Sequence, residues 1–362
     1  MHLDSPFSGL SVQDSEKMRA SLRELFGSIM RDASLVCDAA LISGDLFDQG
    51  FVSPDTVAAV KAALAAFGAP VFIAPGNHDP YNSASIWNAG VWPENVHVFS
   101  STGLGRFDEE IAGEPVTVWG WAFTTPKLDD CPLPQGFTAV PDRINILCAH
   151  ADTSNMISRY CPLPLSLLEN SGCEYAALGH IHKAPEPVFA GNTIVSYSGF
   201  PQGRGWDEPG QGRVLYVEVE RGRAKLRIHP TGFRRYSETD LDISGLCSDE
   251  EVAAALSASI PADIYPDTSL KVFLAGAVSP SYKPDGNAIL SASVLPDGIS
   301  VVFEDNTSPV YGADFLATDM TVRGELYRAL VPRLSSDDPD ERKLASDALR
   351  IGLLALDNKP FL

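Results

Sequence analysis

Four short apolar runs in this chain each lead into a residue able to ligate a metal, and that repetition limits the folds open to it. Ala39-Ala40-Leu41-Ile42 leads into Ser43-Gly44-Asp45-Leu46-Phe47-Asp48, and Val71-Phe72-Ile73-Ala74 leads into Gly76-Asn77-His78-Asp79. Ile144-Asn145-Ile146-Leu147-Cys148 leads to His150, and Tyr175-Ala176-Ala177-Leu178 to Gly179-His180-Ile181-His182. Short apolar runs bounded by turn residues read as buried strands of a parallel sheet. In open α/β sheets, sites form outside the carboxyl ends of such strands, where loops carry polar groups over an apolar scaffold. One Gly-Asp pair is an ordinary turn. Four strand ends supplying Asp, Asn or His in one chain point to a built site.

The segments between these runs support a layered α/β sandwich. Met18, Leu22, Leu25, Phe26 and Ile29 recur at helical spacing, and Ser53-Pro54 opens an Ala/Val/Leu helix that Gly68 ends. Further strands are expected at 96–99, 116–121, 193–197, 213–219 and 224–229, with Pro, Asp and Gly marking 124–142 as a surface excursion. A second, smaller α+β unit is expected from residue 235, dividing the chain into 1–234 and 235–362. In it Ser248 to Glu251 forms a capping box, strands are expected at 269–277, 289–294 and 299–304, and helices at 320–334 and 340–356.

Composition excludes several classes. No run approaches the ~20 apolar residues of a membrane span. The start lacks a basic segment followed by an apolar one, so no secretory signal is expected. Six cysteines without a CxxC spacing suit a reducing cytoplasm better than a disulfide framework. The net charge of −20 opposes non-specific adsorption to nucleic acid or anionic lipid, so a polyanionic substrate needs metal ions, a local basic patch or a partner subunit.

Asp, Asn and His without cysteine suit a hydrolytic divalent ion such as Mn, Fe or Zn. Six candidates, His2, Asp45, Asn77, His150, His180 and His182, are too many for one tetrahedral ion and about right for two. Asp45 is the natural bridge, since a carboxylate can divide two oxygens between ions.

In this order, GDLFD, GNHD, a strand-terminal His150 and GHIH resemble the calcineurin-like metallophosphoesterases. His2 to Leu10, Trp92-Pro93-Glu94-Asn95-Val96, Leu178 to Lys183 and Ser198 to Arg204 further resemble bacterial DNA-repair exonucleases of the SbcD and YhaO-like type. The resemblance covers residues 1–230 and only loosely the rest. It implies one metal on His2, Asp45 and His182, and another on Asp45, Asn77, His150 and His180. It gives His78 the scissile phosphate, Asp79 the orienting of His78, and Asp48 a supporting place behind a ligating histidine. It implies DNA as substrate and an SMC-like coiled-coil ATPase as partner, allows a homodimer, and involves no membrane. Arg204, Arg213, Arg159 and Lys183 are candidates for a basic rim that holds DNA.

The family's first motif is Asp-x-His, and Met1 stands at x. The resemblance therefore implies a carboxylate and an entering strand ahead of this sequence, and without them a weaker His2/His182 metal. Asp4, which follows the histidine, is a poor substitute. Two alternatives stay open: a phosphoesterase acting on small molecules or phosphoproteins, and a catalytically weakened scaffold.

Overall fold

The structure, a computed structural model, describes residues 1–7, 12–261, 263–279 and 282–356, so Ser8, Gly9 and Leu10 of the first motif lie outside the described residues. The chain divides into two compact units, Met1–Arg235 and Tyr236–Leu362.

In the first unit, β1 (Ala40–Ile42), β2 (Val71–Ile73) and β3 (Val96–Val98) form a parallel three-stranded sheet. Strand alternation sorts its side chains onto two faces. Val71 and Ile73 pack with Met18, Leu22, Phe26, Val60 and Leu64 from α1 (Val12–Ala33) and α2 (Pro54–Phe67). Phe72, between them in sequence, points the other way, into a cluster with Val116, Val118, Ile144 and Cys148. Ser53 caps α2 by accepting from the Thr56 N–H, with Pro54 at its first helical position.

That second cluster belongs to a six-stranded sheet of β4 (Gly105–Ile111), β5 (Glu114–Gly120), β6 (Ile144–His150), β7 (Tyr175–Gly179), β8 (Val188–Ala190) and β9 (Thr193–Tyr197), ordered β4-β5-β6-β7-β9-β8. Strands β5, β6, β7 and β9 run parallel, with antiparallel β4 and β8 at the edges. Its far face carries Leu147, Ala149, Ala176 and Leu178 against Trp121, Phe123, Leu163 and Leu168. Helix α3 (Ile86–Ala89) follows the loop after β2, and β10 (Gly210–Glu220) precedes β11 (Arg223–Asp242), which runs through the unit boundary. Apolar side chains of the two sheets share one core, so the layered α/β architecture is the one that the alternating runs imply.

The second unit contains α4 (Asp249–Ser259), β12 (Thr268–Ala275), β13 (Ala277–Val278), α5 (Gly286–Ala292), β14 (Ser300–Asp305), β15 (Ser308–Pro309), α6 (Ala313–Thr318), α7 (Val322–Leu334) and α8 (Pro339–Leu356). The expected strand at 289–294 is instead covered by α5. The Asp285 side chain accepts from the Asn287 and Ala288 N–H groups, starting a helix that buries Ile289. The turn at Pro296-Asp297-Gly298, expected to join 289–294 to 299–304, therefore joins no strand pair, and β12 and β14 pair in parallel from Ser269↔Ser300 to Leu274↔Asp305. Among the described residues no helix is long and apolar enough to cross a membrane.

Candidate metal centre

Every parallel strand that the motifs follow delivers its polar residue to one cluster. Beyond β1, Gly44 at φ +87° turns the chain, and Asp45 itself takes φ 53°. His2 (φ 50°) and His180 (φ 102°) share this left-handed region, which non-glycine residues enter only where surrounding structure holds them. His2 is fixed by its own N–H donating to the Asp45 carbonyl at 2.9 Å, and Leu3 bridges to Phe47.

The glycines of the motifs are required by close approach. A Cβ on Gly76 would stand 2.2 Å from Asp45 Oδ1, and one on Gly179 would stand 1.8 Å from the Ser43 carbonyl oxygen. That same carbonyl lies 2.9 Å from His150 Nδ1. A carbonyl only accepts, so Nδ1 carries the proton and Nε2 turns its lone pair toward Asn77 Oδ1 at 2.9 Å and Asp45 Oδ2 at 3.4 Å. Three acceptor atoms thus converge with no hydrogen between them, an arrangement that fits a cation. On the other side of the same Asp45 Oδ2 lies His2 Nε2 at 3.5 Å, itself 3.0 Å from His182 Nε2. Donor atoms of His2, Asp45 and His182 all lie within 4.8 Å of one another. The residues therefore suit two ions sharing Asp45. His180 stands beside this cluster, its ring centroid 5.2 Å from that of His150 and 4.8 Å from that of Tyr160.

Electrostatics agree with ligands held unprotonated. Burial above all depresses His2 far below the ordinary imidazole value, and burial lowers His180 to about 4. Burial opposes ionisation of Asp45, yet its pKa is lowered, with Asp45 Oδ1 accepting from the His78 backbone N–H at 2.9 Å.

The supporting residues differ from expectation. Asp79 does not meet the His78 ring. Its Oδ1 accepts from the Asp45 and Gly76 N–H groups, and its Oδ2 from those of Leu46 and Phe47, so it locks the two ligand loops together. Burial and the Asp45 charge push its carboxyl pKa upward, while these N–H groups favour the anion. The carboxylate beside His78 is Asp48, whose Oδ1 is 3.8 Å from His78 Nδ1. Asp4 is held elsewhere, by Arg23 and the Ser53 N–H.

Each arginine expected in the basic rim has a partner within this chain. Arg204 folds onto Glu208, Arg213 donates to the Ser198 carbonyl, and exposed Arg159 pairs with Asp129. In each case a nearer acceptor takes the guanidinium. Glu208 is itself a site residue that the motifs did not disclose. It is 1% exposed, and its Oε1 lies 2.7 Å from His182 Nδ1. Burial would raise its pKa, yet hydrogen bonds from His182 and Arg204 lower it to about 2. The only sequence signal was an acidic residue four positions after Arg204.

Comparison with known proteins agrees with the geometry. Residues 14–184 match the calcineurin-like phosphoesterase family, a span containing Asp45, Asn77, His78, His150, His180 and His182 but neither His2 nor Glu208. An uncharacterized metallophosphoesterase of Bacillus subtilis, YhaO, is 31% identical over 235 residues, 61% of this chain. The aligned region spans 56% of that relative's length. This match and the donor cluster together make residues 14–184 similar to a calcineurin-like phosphoesterase domain.

Proposed function

We propose that the first unit hydrolyses phosphodiester bonds, with DNA as its substrate and two divalent ions as its cofactors. One observation carries the chemistry: His150 Nε2, Asn77 Oδ1 and Asp45 Oδ2 converge without a proton to share, and the same Asp45 oxygen faces His2. His2, Asp45 and His182 would hold one ion, and Asp45, Asn77, His150 and His180 the other. Nitrogen and oxygen donors of this kind accept Mn, Fe or Zn, and the family resemblance favours Mn. Bound there, such ions supply Lewis-acid polarisation of the phosphoryl group and activation of water.

The chain's own part is to place groups around the phosphate. His78 is half-exposed beside His2, with ring centroids 4.5 Å apart, whereas His2 and His150 are buried. It can therefore meet a phosphate arriving from solvent, stabilise developing charge and protonate the leaving oxygen. Asp48 stands where it can orient that ring.

DNA as the substrate is supported by the SbcD-type motifs outside the ligand set. An SMC-like coiled-coil ATPase would add a cationic surface beside this acidic chain. The net charge of −20 and the committed arginines favour a second reading, a phosphoesterase on small molecules or phosphoproteins. The two separate in one assay. Mn-loaded protein is offered oligonucleotides and p-nitrophenyl phosphate over a range of salt, with and without the ATPase. Cleavage of DNA that weakens with salt supports the first reading. Hydrolysis of the monoester alone supports the second. Full metal content with neither activity supports a scaffold.

A further inference from the structure

We propose that Glu208 is a positioning residue for the metal-ligating face of His182, and that Arg204, Ser5 and Asp48 extend its hold across the site to His78. The proposal rests on the reading of His2 and His182 as metal ligands.

Glu208 is buried, and its Oε1 lies 2.7 Å from His182 Nδ1. An ionised carboxylate can only accept, so Nδ1 holds the proton and Nε2 presents its lone pair to the point it shares with His2 Nε2, 3.0 Å away. A carboxylate behind a ligating imidazole fixes both tautomer and ring orientation and raises ligand basicity. Glu208 is fixed in turn. It accepts from the Arg204 backbone N–H at 2.9 Å, from Arg204 Nε at 3.2 Å and from the Arg204 terminal nitrogen at 2.7 Å. A two-pronged guanidinium–carboxylate pair sets the carboxylate plane as well as its position.

The other terminal nitrogen of Arg204 lies 3.3 Å from Ser5 Oγ, which donates to Asp48 Oδ2 at 2.8 Å. The remaining oxygen of Asp48 faces His78 at 3.8 Å. One polar chain thus runs from the back of His182 to the ring expected to meet the phosphate. Residues after β9 thereby brace residues that follow the other sheet. Arg204, expected to hold substrate, serves this chain instead.

The test uses the full chain and three variants: Glu208→Gln, which keeps shape and removes charge, Glu208→Ala, and the double variant Glu208→Gln/Arg204→Gln, which leaves no guanidinium stranded. In the metal-free protein, nitrogen-15 NMR of labelled histidines should show His182 as the Nδ1–H tautomer in wild type, with that fixed state lost in Glu208→Ala. Mn titration followed by electron paramagnetic resonance should then show one of two sites weakened roughly 10–100-fold in the Gln variants. The coupled two-ion signal should give way to that of a lone Mn, with the second site within about twofold of wild type. A role in folding alone would lower thermal stability and weaken both sites alike, and would overturn the proposal. So would an Nε2–H tautomer in wild type, or two unweakened sites in every variant. Wild-type protein that shows the Nδ1–H tautomer but binds no Mn would overturn the metal reading beneath the proposal.

Discussion

Replacing Gly179 with alanine tests whether the glycine before His180 is there for space. The added methyl would stand 1.8 Å from the Ser43 carbonyl oxygen and 3.0 Å from His150 Nδ1. An ordinary carbon–oxygen approach is about 3.3 Å, so one strand end must retreat by roughly 1.5 Å. Forced overpacking costs about 1–3 kcal/mol. Loss of the hydrogen bond from His150 to Ser43 adds about 0.5–1.5 kcal/mol. Reduced freedom of the unfolded chain returns about 0.4–1 kcal/mol. The net loss is about 0.5–4 kcal/mol, or a fall in Tm of about 1–16 °C for a unit of this size. Gly27 in α1 is the matched control, since a Cβ there meets nothing within 4 Å. Gly27→Ala should leave Tm unchanged or raise it, because alanine is the better helix former by about 1 kcal/mol. Thermal unfolding of both variants by circular dichroism, with Mn affinity measured alongside, is the assay. If Gly179→Ala melts with wild type and binds Mn equally well, the close approach of the two strand ends is not what requires glycine.

Other perturbations follow from the same geometry. Asp79→Asn should destabilise the unit by about 2–5 kcal/mol in chemical denaturation, because the amide turns a donor toward two of the four buried N–H groups that Asp79 now accepts. His78→Ala should leave metal content and Tm near normal while slowing phosphodiester hydrolysis roughly 10²–10⁴-fold; loss of metal instead would make His78 a ligand. Glu208, with its pKa lowered in the folded state from 4.5 to about 2, contributes stability that is present above pH 4.5 and lost as pH falls toward 2. That contribution is about 3 kcal/mol, so denaturation of Glu208→Gln between pH 6 and pH 3 should show a shallower loss than wild type.

The strand ends were legible in sequence for a local reason. Ala40 to Ile42, Val71 to Ile73 and Tyr175 to Gly179 are short apolar runs closed by turn residues, and their ligands follow within a few positions. What depended on distant chain was not legible. Asp79 follows His78 directly, which suggested a pair, but its carboxylate turns back to N–H groups at 45–47 and leaves His78 beside Asp48. Glu208 reaches His182 only because the loop after β9 returns over the site. In the second unit, Ile289 to Val294 alternates well enough for a strand, and the Asp285 cap decides for a helix.

Anomalous scattering from crystals of the Mn-loaded protein tests the two-ion site most directly. Two peaks are expected, about 3.5–4 Å apart. Both should lie against Asp45 Oδ2, one bounded by His2 and His182 and the other by Asn77, His150 and His180. No Mn at this cluster at saturating concentration, or Mn held only by other residues, would contradict the account.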